Sequence, residues 1–302
     1  MVKVTLDIFS GMPNPSWVLS EEDTKELIYR FAGKAMPSLD AVEDVLGFRS
    51  YVVEAESDDE EMIRKLPRTF RVGGTLPQKY VLAEGIALPT LTMEESDDAA
   101  HWLLTTAGKA VNEELIRHVE SVVETREKAM GLPKEEPIEG EEEVTEAREI
   151  EKLAPCVIRN TPYNPGFWNN NPSVKQNNNC YNYAMNYCSN TFAQPGRISG
   201  HPNSVMQCAN VITAAEWDRC KRICSGSNKN VALVVWPGQD YHWYRKHSEG
   251  FWGHKPGSTL AKNTDNCGYV IDGIRRTPQN CCRGPYTQFC GYMYSPSGMI
   301  VR

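Results

Sequence analysis

The cysteines of this chain are confined to its second half. None occurs in the first 155 residues, and all ten lie at positions 156, 180, 188, 208, 220, 224, 267, 281, 282 and 290. This density favours a domain held together by disulfides and matured in an oxidising compartment. The sequence therefore predicts two domains with different chemistry, of which only the second is cross-linked.

Zinc is the alternative explanation for so many cysteines. Structural zinc sites need two short cysteine pairs, whereas the close pairs here are Cys220 with Cys224 and the adjacent Cys281 and Cys282. These spacings do not form a zinc knuckle. The sequence accordingly predicts no metal site and no cofactor.

Charge divides the chain at the same place. Residues 1–155 hold 17 basic and 33 acidic side chains, a net charge of -16, and residues 156–302 hold 15 and 6, a net charge of +9. A basic second domain suits an anionic matrix polymer, a glycan or a peptide substrate. No nucleic-acid motif accompanies the charge, so we expect no nucleic-acid partner.

The domain boundary follows from composition. An amphipathic stretch ends near Met130, and a glutamate-rich segment without apolar periodicity follows it. We predict an acidic α+β module at 1–130, an acidic linker at 131–153 and a cysteine-rich basic domain at 154–302. A strap lying on the basic domain is the alternative interpretation of the acidic segment.

The first module combines strand and helix patterns. Alternating or β-branched runs predict strands at 2–9, 48–54 and 69–72. Ser20 predicts the cap of a helix that runs to about residue 32, and Ser96 to Asp98 predict the cap of a helical region from 99 to about 128, broken near Gly108. We interpret this module as an α+β scaffold or binding module.

Localisation is predicted from the cysteines and from the absence of a long apolar run. No window approaches the 18 apolar residues that a membrane span needs, so no membrane partner is expected. The oxidising compartment predicts a secreted, extracellular protein. The first ten residues alternate apolar and polar residues and show no export signal.

Cys180 stands apart because of its context. A run of three asparagines precedes it, and such residues favour turns and helix caps, so the sequence predicts a helix that begins at Cys180. A helix N-terminus lowers the pKa of a thiol and favours the nucleophilic thiolate. The alternative is that Cys180 is one member of five disulfides. We expect most of the other nine cysteines to be paired.

A candidate base lies 62 residues later. His242 falls on a predicted strand at 241–245, and a return strand at 251–254 ends with His254. A hairpin that places residue 244 opposite 254 makes the two histidines diagonal neighbours on one face. His242 is then the base, and His254 fixes its orientation. Three aspartates are alternative orienting residues: Asp240, Asp265 and Asp272.

This order of Cys180, His242 and His254 resembles the NlpC/P60 and CHAP branches of the papain-like cysteine hydrolases. The segment Asn179-Cys-Tyr-Asn-Tyr-Ala184 also resembles the aromatic-flanked cysteine of CHAP domains. The resemblance implies a helix packed on an antiparallel sheet. It further implies hydrolysis or transfer of amide bonds in peptide or cell-wall material.

A second resemblance covers more of the chain. The start Phe9-Ser-Gly-Met-Pro-Asn-Pro-Ser-Trp17 and the core Asp240-Tyr-His-Trp-Tyr-Arg245 with Gly253-His-Lys-Pro-Gly-Ser-Thr259 resemble secreted animal proteins, some of them from mollusc shell matrix. That resemblance implies an extracellular structural or recognition protein. A thiol-dependent amide hydrolase or transferase is the alternative function.

Overall fold

The computed structural model describes residues 1–40, 42–55, 66–74, 80–81, 89–129, 156–158, 161–225 and 228–302. The chain divides into two compact units. The first consists of residues 1–8, 14–43 and 48–133, and the second consists of 9–13, 44–47 and 134–302. The predicted linker at 131–153 lies outside the described residues. No described helix is both long enough and apolar enough to span a bilayer.

The first unit is built on a four-stranded antiparallel sheet in the order β2-β1-β4-β5. Its apolar strand residues face the core, and Val2, Val4 and Leu6 of β1 are fully or almost fully buried. The elements in chain order are β1 (Val2–Asp7), β2 (Ser16–Val18), α1 (Glu21–Phe31), β3 (Met36–Pro37), β4 (Ser50–Ala55), β5 (Thr69–Val72), β6 (Tyr80–Val81), α2 (Met93–Thr106) and α3 (Glu113–Ala129).

The helix caps of the first unit confirm one prediction and correct another. Ser20 caps α1, because its hydroxyl accepts the N–H of Asp23 at 3.0 Å. The predicted cap at 96–98 is wrong. Helix α2 begins at Met93, six residues before the predicted start, where the side chains of Thr92 and Glu95 each accept the other's backbone N–H. The predicted break near Gly108 is confirmed by a 3-10 turn between α2 and α3.

The second unit holds another antiparallel sheet, in the order β10-β7-β8-β9. The α+β prediction is thus confirmed, with a four-stranded sheet in each unit and a two-stranded pairing of β3 with β6 in the first. The elements are α4 (Pro165–Asn169), α5 (Pro172–Asn177), α6 (Cys180–Ala184), α7 (Cys208–Trp217), β7 (Val231–Trp236), β8 (Asp240–Lys246), β9 (Trp252–His254) and β10 (Gln288–Met293).

The predicted hairpin register is confirmed. Tyr244 of β8 lies opposite His254 of β9, and the N–H of His247 donates to the carbonyl of Phe251 at 2.9 Å. Alternate residues of β8 point to opposite faces of the sheet. Tyr241 and Trp243 pack in the core that contains α6. His242 therefore faces the other side.

Six of the ten cysteines form three disulfides. The pairs are Cys156–Cys224, Cys208–Cys290 and Cys267–Cys282. The prediction that most of the nine cysteines other than Cys180 are paired is confirmed. Cys180 is a free thiol, so the alternative of five disulfides is wrong. The other free thiols are Cys188, Cys220 and Cys281.

We expect the longest disulfide loop to contribute most to stability. Cys208 and Cys290 are separated by 82 residues, and Cys267 and Cys282 by 15. Because a longer closed loop restricts the unfolded chain more, replacing the first pair by alanine should lower the free energy of unfolding by about 4 kcal/mol, against about 3 for the second. Chemical denaturation followed by circular dichroism measures this. Cys188→Ala is the control and should change little.

Candidate functional site

A loop from the beginning of the chain is part of the second unit. Ser10, Gly11 and Met12, hereafter the serine loop, surround the buried carboxylate of Asp240 at the start of β8. Asp240 accepts the N–H of Ser10 at 2.6 Å, of Gly11 at 3.1 Å and of Met12 at 2.7 Å. The hydroxyl of Tyr286 donates to it at 2.6 Å. Consecutive N–H groups of this kind form an anion-binding nest.

Glycine is required at the centre of the serine loop. A Cβ on Gly11 would lie 2.4 Å from the ring of Tyr241 and 2.6 Å from its carbonyl oxygen. The carbonyl of Gly11 accepts from the side-chain amides of Asn179 at 2.9 Å and Gln194 at 2.8 Å. The Phe9-Ser-Gly motif and the motif that begins at Asp240 therefore meet at one place.

Cys180 begins a helix, as the sequence predicted. The side chain of Asn179 accepts the N–H groups of Tyr181 and Asn182, each at 3.1 Å, and Asn182 accepts the N–H of Asn179 in return. This capping box explains why the asparagine run ends where α6 begins. The Cys180 side chain is fully buried, and its sulfur lies 3.8 Å from the carbonyl oxygen of Tyr241.

The expected lowering of the thiol pKa is wrong. Burial raises the pKa of Cys180 well above its ordinary value, and the charge of Asp240 acts in the same direction. A hydrogen bond from the backbone of Trp243, the nearby polar side chain of Ser10 and the charge of Lys255 oppose the shift. They do not overcome it, because loss of hydration penalises the thiolate more than one helix end stabilises it.

The two histidines form an ordered hydrogen-bonded chain with Ser10. Its distances are 2.5 Å from the Ser10 hydroxyl to Nδ1 of His242, 2.9 Å from Nε2 of His242 to Nδ1 of His254, and 2.8 Å from Nε2 of His254 to the carbonyl oxygen of Thr264. A carbonyl only accepts, so His254 carries its proton on Nε2. His242 then donates through Nε2, and in its neutral form it accepts from Ser10.

Protonation of this chain is restricted by burial. The pKa of His254 falls to about 3, because the interior penalises the imidazolium and the charge of Lys262 adds to the effect. His254 is therefore neutral at physiological pH. A neutral ring in a fixed tautomer can orient His242 but does not supply a charge.

The structure brings two of the three predicted residues, His242 and His254, into contact and adds Ser10, which the sequence did not predict. Ser10 bonds to His242, whereas Cys180 packs in the core with Tyr241 and Trp243. Ser10, Cys180, His242 and His254 are all 0% exposed. The arrangement can hold a proton between Ser10 and the two histidines, but in this conformation it is closed to a substrate.

The three alternative aspartates bind other groups. Asp240 holds the serine loop, as described above. Asp265 accepts the backbone N–H groups of Cys267 at 3.0 Å and Cys282 at 3.1 Å, and Asp272 accepts those of residues 274–276. Asp265 and the sulfurs of Cys267 and Cys282 are close enough to share a metal ion. Those sulfurs are bonded to each other, which leaves neither as a thiolate ligand.

Comparison with known proteins gives one informative relative. The chain is 43% identical over 140 residues to the insoluble matrix shell protein 1 of Ruditapes philippinarum. The aligned region covers 45% of this chain and 90% of that protein. No protein-family model matches the chain. No solved structure matches it.

Asp240→Asn should destabilise the second unit strongly. The substitution replaces a buried acceptor of three backbone N–H groups by an amide that presents one acceptor oxygen, so we expect a loss of about 3 kcal/mol in the free energy of unfolding. Asp272→Asn is the matched control, because Asp272 also accepts three N–H groups but is only partly buried. Urea denaturation measures the free energy of unfolding of both variants. Equal losses would contradict the larger contribution that we assign to Asp240.

Acid should destabilise the protein through His254. A histidine whose folded-state pKa is depressed contributes stability above pH 6.5, and this contribution is lost as pH falls toward 3. Between pH 7 and pH 5 the loss is about 2 kcal/mol. His254→Gln should reduce the acid sensitivity by that amount, whereas the exposed His201→Gln should not. Free energies of unfolding measured at pH 7 and pH 5 provide the comparison.

Proposed function

This chain belongs to the family of the insoluble matrix shell protein 1, and from that membership we propose that it is an extracellular, matrix-associated structural or recognition protein. The observation that carries the proposal is the 43% identity, which extends over 90% of a protein named for shell matrix. Three disulfides in the second unit support maturation in an oxidising compartment.

The buried site also supports a scaffold role. The serine loop closes over the start of β8, and the polar groups beneath it bond to one another. Such an internal network specifies one packing arrangement of the core. The proposed organisation remains an acidic module, an acidic linker at 131–153 and a cysteine-rich basic domain, whose charge suits anionic matrix components.

A papain-like layout is our proposal for the ancestry of the second domain. A cysteine that begins a helix, a histidine on a central strand and a second histidine on the next strand support it. The helix packs against an antiparallel sheet through Tyr181 and Trp243, whose ring centroids are 5.7 Å apart. A hydrolase layout can persist in a protein that has no activity.

Localisation in the producing tissue tests the matrix proposal. An antibody against the purified chain should detect the protein in the extracellular organic matrix, and non-reducing peptide mapping of the native protein should recover the three disulfides. Detection only in the cytosol, with all ten cysteines as free thiols, would contradict the proposal.

A second candidate function is thiol-dependent hydrolysis or transfer of an amide bond. The observations in its favour are that Cys180 begins α6 as a free thiol and that Ser10, His242 and His254 form a hydrogen-bonded chain. In this mechanism His242 takes the proton of Cys180 and the sulfur attacks the carbonyl carbon. The C–N bond then breaks as the leaving amine takes that proton, and water or an acceptor amine releases the acyl group from the sulfur. His254 keeps His242 in the required tautomer. The serine loop must move first, because the site is buried.

Amine release from a set of peptide amides distinguishes the two functions. Under the hydrolase hypothesis, Cys180→Ala and His242→Ala abolish release. Cys220→Ala retains it, since Cys220 is also a buried free thiol but contacts the carbonyl of Tyr294 instead. Release is measured for the wild-type protein, in which the serine loop is intact, and for the Gly11→Ala variant. If neither protein releases amine, only the matrix role remains.

A further inference from the structure

The second unit contains a cavity that is not lined by Ser10, Cys180, His242 or His254. Its volume is about 320 Å³, within the range of small-molecule sites. The residues that give it chemical character are Phe167, Trp168, Tyr183, Cys188, Arg245 and His247. We refer to it as the aromatic pocket.

Three aromatic rings form one wall of the aromatic pocket. The ring centroids of Phe167 and Trp168 are 5.2 Å apart, and those of Trp168 and Tyr183 are 5.4 Å apart. Trp168 and Tyr183 are buried, whereas Phe167 is 51% exposed. The N-terminus of α4 fixes this wall, because the side chain of Asn164 accepts the N–H of Phe167. The wall presents ring surface to whatever enters the pocket.

Tyr183 and His247 are held rigidly beside this wall. The hydroxyl of Tyr183 lies 2.8 Å from Nε2 of His247, and Nδ1 of His247 lies 3.3 Å from the carbonyl oxygen of Thr161. A carbonyl only accepts, so Nδ1 carries the proton and Tyr183 donates to Nε2. A Cβ on Gly253 would lie 2.4 Å from the Tyr183 hydroxyl and 2.7 Å from His247, so the pair is built around a glycine.

One positive charge lies in the aromatic pocket. Arg245 is only 5% exposed, and its guanidinium donates to the hydroxyl of Thr161 at 2.9 Å and to the carbonyl of Ala184 at 2.6 Å. Burial lowers its pKa to about 10, which leaves it charged at neutral pH. Burial also lowers the pKa of His247. No carboxylate occurs among the described residues that line the pocket.

The nearby carboxylate of Glu249 lies outside the lining. It is exposed and accepts the N–H of Tyr163 at 3.0 Å and the hydroxyl of Ser248 at 3.0 Å. Water screens an exposed charge more than a buried one. The electrostatic character of the pocket interior is therefore set by Arg245.

We propose that the aromatic pocket binds a uronic acid residue of an acidic glycan, with the sugar ring against the aromatic wall and its carboxylate directed toward Arg245. Guanidinium groups are preferred partners of carboxylates, and mostly apolar pockets with few polar groups bind small rings. The identification of the glycan as a matrix component rests on the proposed function. Binding of the sugar rests on the pocket alone.

Cys188 provides a direct readout of occupancy. It is the one free thiol that is not buried, and it lines the aromatic pocket. On the full oxidised chain, methyl glucuronide should slow labelling of Cys188 by iodoacetamide. Methyl glucoside, which has the same ring without the carboxylate, should bind about tenfold more weakly. Calorimetric titration of both sugars gives their affinities independently of the thiol.

Two exposed aromatic residues provide the matched variants. Phe167→Ala removes the exposed ring of the wall and should weaken glucuronide binding by about fivefold to tenfold. Trp217→Ala is the control, because Trp217 is 55% exposed and stacks on His201, outside the aromatic pocket. It should leave the affinity unchanged.

Several results would overturn the proposal. Equal protection of Cys188 from iodoacetamide by both sugars would show that the carboxylate has no role in binding. Equal protection by a hexa-aspartate peptide would indicate an acidic protein partner. Heat of binding without protection would locate the sugar elsewhere, and the absence of both would mean that no uronic acid binds. None of these results changes where the protein is found in tissue, so failure here is distinguishable from failure of the matrix proposal.

Discussion

The second unit depends on one buried carboxylate that has no cationic partner among its hydrogen bonds. Asp240 bonds instead to three backbone N–H groups and the phenol of Tyr286. Burial raises its pKa, and these bonds oppose the shift. Taking a carboxylate out of water costs several kcal/mol unless such bonds replace hydration. Because the three N–H donors belong to the serine loop, this requirement positions Ser10, and Ser10 in turn bonds to His242.

Local signals account for what the sequence could predict. The asparagines before Cys180 begin a helix because their side chains bond to nearby backbone N–H groups. The alternation around His242 and the glycine turn at 248–250 determine the hairpin register, and with it the neighbouring positions of His242 and His254. Both depend on residues within a few positions of one another, which is the range over which sequence patterns are informative.

The remaining features arise from contacts between distant residues. Ser10 reaches His242 across 232 positions, and nothing near Ser10 in the sequence indicates a histidine partner. The direction of the Cys180 pKa shift depends on the complete core around it, so the helix position alone gave the wrong sign. β10 was not predicted because Cys290 and Gly291 interrupt its alternation, and the register shifts there.

The position of the serine loop also affects the order in which the protein can be assembled. Ser10 leaves the ribosome 230 residues before Asp240, and at ordinary rates of translation this interval is about 10 to 50 s. Until Asp240 is synthesised, the serine loop has no carboxylate to surround and β8 cannot form. The C-terminal half therefore completes its fold with a segment that was synthesised first. Contacts between such distant residues give this domain a high contact order, which predicts that the last step of folding is slow.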